Sequence, residues 1–130
     1  MAGLPGRLQQ ASLEVTQSAI ATYAQITNDF NPLHLDPEFA ARTPMGGVIA
    51  HGTMSVGLIW QAIEQTLGPD VLSTADLDIR FVKPVRIGEW LEGGGELVSQ
   101  ESNTYRVWVR SREGGQEKIV GTVRLVTPDS

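Results

Sequence analysis

His34 follows Asp29 by five positions, with Asn31-Pro32 between them, inside the stretch that runs from Tyr23 to Met54. Proline fixes its own φ and has no N–H to donate, and Asn-Pro favours turns, so these residues belong to a turn rather than a helix interior. In a turn, a carboxylate and an imidazole at this spacing can face one small volume. Imidazole titrates close to neutrality, near a pKa of about 6.5, which suits it to take up a proton and give it back. A carboxylate beside it can grip the same water, so the pair reads as a proton-transfer site. The plainer alternatives are an exposed turn histidine, and an aspartate that caps a helix or forms an Asx turn with Asn31. Asn31 has the weakest claim to chemistry; it is a candidate substrate contact, although fixing the loop would account for it.

Downstream come Gly46-Gly47 and then His51-Gly52, where an apolar helical run begins. The first turn of a helix has N–H groups without intrahelical acceptors, at the positive end of its dipole. A glycine there lets a ligand approach the backbone closely, so the Gly52 N–H is a candidate hook for a carbonyl that gains negative charge during a reaction. The alternative is that Gly52 permits a tight turn and nothing more. His51 and Ser55 are candidate substrate contacts. Ser55 lacks the GxSxG elbow that a serine nucleophile would need. A metal held by His34, His51 and nearby aspartates is disfavoured, since neither HxH nor HExxH spacing is present. Asp36 is expected to cap a helical turn, and Tyr23 to face the core.

The elements that position these groups follow from periodicity. Leu13 and Val15 alternate with polar neighbours, enough for one short strand. Thr16 is a plausible N-cap for a helix over about 17–27, with Ile20, Tyr23, Ala24 and Thr27 on one face. Residues 28–50 read as irregular apart from one helical turn at Pro37–Ala41, capped by Asp36. A second helix spans 52–67 and is apolar on more than one stripe, so it is buried on most sides; Gly68-Pro69 ends it. Period-two alternation then takes over: Leu77, Ile79 and Phe81 share a face, Leu91–Ser99 and Thr104–Ser111 follow, Gly114-Gly115 makes a hairpin turn, and Ile119 to Leu125 closes the chain's last strand. Gly93-Gly94-Gly95 marks a bulge or a close backbone approach. Four consecutive strands on short loops imply an antiparallel sheet. The economical home for the apolar helix is the concave face of that sheet, giving an α+β fold. Such a sheet leaves an edge that a second copy can cover.

The chain has 130 residues, 41% of them hydrophobic, which suits a single domain over 1–130 with residues 1–10 as a loose arm. It has no cysteine, which excludes thiolate nucleophiles, disulfides and Cys-built zinc sites. Its net charge of −5, with scattered cations, argues against a nucleic-acid partner. The apolar runs are too short to span a membrane, and the N-terminus is too polar for a signal peptide, so a cytoplasmic protein is expected.

These same residues resemble the MaoC-like hydratase/dehydratase family. The resemblance rests on Tyr23-Ala24, Thr27, Asp29, Asn31-Pro32, His34, Asp36, Phe39-Ala40 and Gly47-Val48-Ile49-Ala50-His51-Gly52, with Arg80-Phe81, Lys83-Pro84-Val85 and Gly88 downstream. It covers about residues 12–126. It implies a hot-dog fold, an antiparallel β-sheet wrapped around a long central helix. It implies a dimer, often with active sites near the subunit interface, and a heterodimer with a related subunit stays open. It also implies a catalytic pair at Asp29 and His34, with the Gly52 N–H on a thioester oxygen, and reversible syn hydration of trans-2-enoyl-CoA to the (3R)-hydroxyacyl thioester. No metal or redox cofactor is implied, coenzyme A being part of the substrate. Two departures, Thr43-Pro44-Met45-Gly46 and Thr53-Met54, bear on substrate choice before they bear on chemistry.

Two other functions stay in view: dehydration of a carrier-protein-bound or specialised (3R)-hydroxyacyl group, and non-catalytic binding of acyl-CoA. Met45 and Met54, with Leu58 and Trp60, are candidates to line or block an acyl pocket. Lys83 and Arg86, either side of Pro84-Val85, are candidates for the phosphates of a CoA tail.

Overall fold

Thr16 divides the first strand from the first helix. Before it lies β1 (Ala11–Glu14), and after it α1 (Gln17–Thr27), whose first turn it caps by accepting the Ala19 N–H at 3.0 Å. Asn28 ends the helix in the left-handed region, at φ 56°, its N–H on Ala24 O. The computed structural model describes residues 3–125. The stretch 28–50 is less irregular than its sequence suggests. Besides α3 (Pro37–Ala41), capped by Asp36 Oδ1 as expected, it holds α2 (Pro32–Leu35). Pro32 sits at the first helical position, where its missing N–H costs nothing.

The long helix α4 spans Gly52–Leu67 and ends at Gly68, φ 89°. A 3₁₀ turn over Pro69–Thr74, absent from the expectations above, leads into β2 (Ala75–Phe81). Then come β3 (Trp90–Ser99), β4 (Thr104–Ser111) and β5 (Glu117–Leu125). The sheet order is β1-β3-β4-β5-β2, with every neighbouring pair antiparallel. The strands do not follow one another as a simple meander. β2 pairs with β5 along its whole length, Ala75 opposite Leu125 and Phe81 opposite Ile119, so residues 82–89 must cross to reach β3.

Helix α4 lies on the face of this sheet, against β3, β1 and β4, in the hot-dog arrangement. Leu58, Ile59, Ala62 and Ile63 are buried along it, and the larger of these contribute about 1.5–3 kcal/mol each on burial. Glycine at 93 is what lets the helix settle. A Cβ there would stand 2.7 Å from Leu58 Cβ and 2.9 Å from its carbonyl carbon. The glycine run is thus a close backbone approach, while the register shift in β3 falls later, between Leu97 and Ser99.

Residues 3–10, expected as a loose arm, lie along the far end of β3. Leu8 is buried, its N–H on Gly95 O at 3.0 Å, and the Leu97 N–H returns to Gly6 O at 2.9 Å. The hydroxyl of fully buried Tyr105 donates to Pro5 O, and burial pushes that phenol's pKa up. The apolar face of Leu8 and these backbone bonds hold the segment down. β1 and β2 are the sheet's two edges. No helix among the described residues is long and apolar enough to cross a membrane.

Candidate active site

Asn31 builds the local frame. Its Oδ1 accepts the Leu33 N–H at 2.9 Å and so caps α2, which carries His34. His34 Nδ1 lies 2.8 Å from Ile49 O. A carbonyl only accepts, so Nδ1 carries the proton in this contact, and in the neutral ring Nε2 has the lone pair. That is the tautomer a general base needs. Asp29 Oδ1 accepts the Asn31 N–H at 3.3 Å, the Asx-type contact expected of it, and its side chain stays half exposed at 51%.

His51 is placed differently from the expectation. It is 2% exposed and lies outside the pocket lining. Its ring stacks on His34 with centroids 3.9 Å apart and planes 28° from parallel. Its Nε2 donates to Asp29 O at 3.0 Å and lies 3.9 Å from Asp29 Oδ2. His51 therefore ties the Asp29 turn to the start of α4 and forms the floor beneath His34. Tyr23 packs on the other side, ring centroids 5.1 Å away, and its hydroxyl donates to Thr53 Oγ1 at 2.7 Å, so Tyr23 joins this cluster instead of the main core.

One side-chain atom from each of Asp29, His34 and His51 lies within 4.8 Å of the others. Three such groups are also the outline of a cation site. His34 Nδ1 and His51 Nε2 are committed as donors to backbone carbonyls, which leaves His34 Nε2 and His51 Nδ1 as the ring nitrogens with no protein partner among the described residues.

Gly52 opens α4 with His51 at the N-cap, and no side chain caps that end. It borders a pocket of about 290 Å³ together with His34, Ile49, Ala50 and Ser55 on one side, and Met45 at the rim. The rest of the lining is Phe81, Val82, Lys83, Pro84, Val85 and Ile119. The lining is mostly apolar, and two buried polar atoms nearby have no partner, Ser55 Oγ and His51 Nδ1. The Phe81 ring lies directly over Gly52. A Cβ at 52 would stand 2.9 Å from Phe81 Cε1, so a side chain there would have to push the exposed ring aside.

Of the residues singled out from the sequence, His34, Gly52, Ser55, Met45 and Lys83 meet at this pocket, with Asp29 beside His34 at its mouth. Others do not. Asn31 is a helix cap. Met54 points to the other side of α4, into a shallow depression with Leu13, Ala19, Thr22, Tyr23 and Ile26, because two positions along a helix turn a side chain through more than half the circumference. Arg86 lies outside the lining; its N–H is held by Glu89 Oε2 at 2.7 Å and its guanidinium runs beside Gly47. Leu58 is taken by the sheet, against Gly93. Sequence reasoning missed Phe81, Val82 and Ile119 as pocket residues. The one available signal was that the alternation of β2 breaks at Phe81-Val82, two adjacent apolar residues that are both exposed, at 57% and 50%.

A five-stranded antiparallel sheet on a long helix, with a carboxylate and an imidazole at the helix mouth, defines a hot-dog domain. The chain belongs to the MaoC-like domain family, whose model matches residues 5–124. It is 35% identical over 130 aligned positions to the (R)-specific enoyl-CoA hydratase of Aeromonas caviae, covering 90% of this chain and 97% of that protein. It is 42% identical over 80 residues to a 3-hydroxybutyryl-CoA dehydratase of Methylorubrum extorquens, covering 61% of this chain and 50% of that one, so the chain spans only about half of that relative. Among solved structures, the unliganded R-hydratase PhaJ1 of Pseudomonas aeruginosa superposes with a TM-score of 0.77 at 26% identity, over 98% of this chain and 83% of that one.

Proposed function

We propose that this protein is a hydro-lyase that adds water reversibly, on one face, to a trans-2-enoyl-CoA thioester and yields the (3R)-hydroxyacyl-CoA. The observation that carries the reading is the meeting of Asp29 and His34 within 4.8 Å, beside an uncapped helix start at Gly52. His34 Nε2 takes a proton from water as the water oxygen bonds to C3. The C2–C3 π electrons move towards the thioester, whose oxygen is held by the Gly52 N–H. Asp29 orients the water and balances the imidazolium. The same proton then returns to C2 from the same side, which makes the addition syn and leaves His34 neutral. A donor of the Gly52 kind contributes roughly 2.7–4 kcal/mol in comparable acyl chemistry. The apolar wall of Phe81, Val82 and Val85 suits an acyl chain of short to medium length. Lys83 at the rim offers a cation to the CoA tail.

The test is loss of enoyl absorbance with crotonyl-CoA, followed by chiral analysis of the product. A (3R) product is expected, and thiol release without hydration would sink the assignment.

Assembly forms part of the same reading. The open edge of β2 and the exposed Phe81 and Val82 at its end support a homodimer that covers this side of the pocket. Sedimentation at low concentration is expected at about twice 14.1 kDa. An active species that stays monomeric would remove the partner from the account.

A further inference from the structure

Lys118 is a buried ammonium that the proposed reaction does not use. Its side chain is 5% exposed, on β5. An ammonium has three N–H donors, and here each finds an acceptor: Glu89 Oε1 at 2.9 Å, Gln116 Oε1 at 3.1 Å and Pro84 O at 3.2 Å. Glu89 is used twice, since its Oε2 accepts the Arg86 N–H at 2.7 Å. The Lys118 carbonyl is engaged as well, by the N–H groups of Val82 at 2.7 Å and Lys83 at 3.3 Å. The crossover 82–89 is thus fastened from inside at Val82, Lys83, Pro84, Arg86 and Glu89, all through one residue and its carboxylate partner.

That crossover in turn holds the segment on which His34 depends. Val85 O accepts the Ala50 N–H at 2.7 Å, and Arg86 pairs with Ile49 as an isolated antiparallel bridge. Ile49 O is the acceptor 2.8 Å from His34 Nδ1. A continuous path of backbone and charge-assisted bonds therefore runs from Lys118 and Glu89 through the crossover to the carbonyl that selects the His34 tautomer. A wandering Ile49 carbonyl would let the proton move to His34 Nε2 and leave no base facing the pocket.

We propose that buried Lys118 and its partly exposed partner Glu89 are a positioning pair, which fixes the crossover 82–89 so that Ile49 O keeps His34 in the tautomer with Nε2 free. This inference rests on the proposed role of His34 as base. A pair of this kind is weak evidence of stability, because desolvation offsets much of the attraction. A geometric role gives it a reason to be buried.

The test reads the imidazole directly. The described residues contain both histidines of the chain, so long-range ¹H–¹⁵N spectra of imidazole-labelled protein resolve His34 without ambiguity. The expected wild-type signature is one His34 tautomer protonated at Nδ1. Glu89→Gln keeps the volume and one acceptor but removes the charge, and Lys118→Met removes the donors. Each should bring up a second His34 tautomer and lower kcat for crotonyl-CoA about tenfold, as misplacement of a base does, with KM within about twofold. Lys118→Arg should retain a single tautomer. Should Lys118→Met fail to fold, the near-isosteric Glu89→Gln still decides the matter. Folded Glu89→Gln protein with one tautomer and wild-type kcat would overturn the inference. Wild-type protein that does not hydrate enoyl-CoA would strike the functional reading instead, and the tautomer spectra would still judge the positioning role.

Discussion

The pocket has two walls of different origin. One comes from a continuous run of chain, from the Asp29 turn through His34, Ile49 and Gly52 to Ser55. The other comes from the end of β2, the crossover behind it and one residue of β5, so that Phe81, Val82, Val85 and Ile119 are neighbours only because β2 pairs with β5. The first wall carries the groups proposed to move protons and hold charge. The second is apolar but for Lys83, and supplies shape. The caps and turns of the first wall use near neighbours, while the bonds of His34 to Ile49 O and of His51 to Asp29 O join positions 15 and 22 apart. The second wall exists only once the sheet has closed.

The contrast can be broken most directly at the first wall. Asp29→Asn and His34→Ala should each lower turnover by at least about 10²-fold while the protein stays folded, on the magnitude of general acid–base catalysis. Steady-state rates with circular dichroism as the folding control measure this. Near-wild-type rates in both would remove the pair from the chemistry and reduce the first wall to scaffold.

Where the walls touch, the effect should be smaller. Gly52→Ala keeps the N–H but places a Cβ 2.9 Å from Phe81 Cε1, so the exposed ring has to swing aside. A loss of roughly tenfold in kcat/KM is expected from that displacement. Gly52→Ala combined with Phe81→Ala should recover part of it. If the double variant is no better than the single one, contact with Phe81 is not the reason for glycine at this position.

The smallest effect belongs to the rim of the second wall. Lys83→Ala should raise KM for a CoA thioester by about two- to fivefold with little change in kcat, the mark of uniform binding loss. Arg86→Ala should do less, since Arg86 lies outside the pocket lining. Equal effects from the two would mean that a bound CoA tail reaches across the crossover. No dependence of KM on salt would deny both a role.

Much of the first wall was legible. Thr16, Asp36 and Gly68 mark helix ends through hydrogen bonds and backbone freedom that involve only near neighbours, and each stands where the pattern put it. Asp29, His34 and Gly52 could be read together because a turn and a helix start keep nearby residues close. His51 is placed by contacts between distant parts of the chain. Its type and position suit a ligand contact, and only the stacking of His34 upon it and its bond to Asp29 O show it as a floor. Met54 failed because an apolar helix with more than one buried stripe does not say which stripe faces the ligand.

The amino-acid sequence by itself determined α1, α3 and α4, the strand periodicity, the apolar character of α4 and the spacing of Asp29 and His34. Each of these follows from repeat, cap or turn chemistry acting within a few residues. Tertiary structure alone decided that β2 joins β5, that the crossover 82–89 becomes a pocket wall, and that Ile49 O holds one tautomer of His34. The reason is that strand pairing uses backbone groups common to every residue. The side chains can make a strand amphipathic, but its partner is chosen by which closure of the sheet buries α4 and still satisfies the crossover around Lys118.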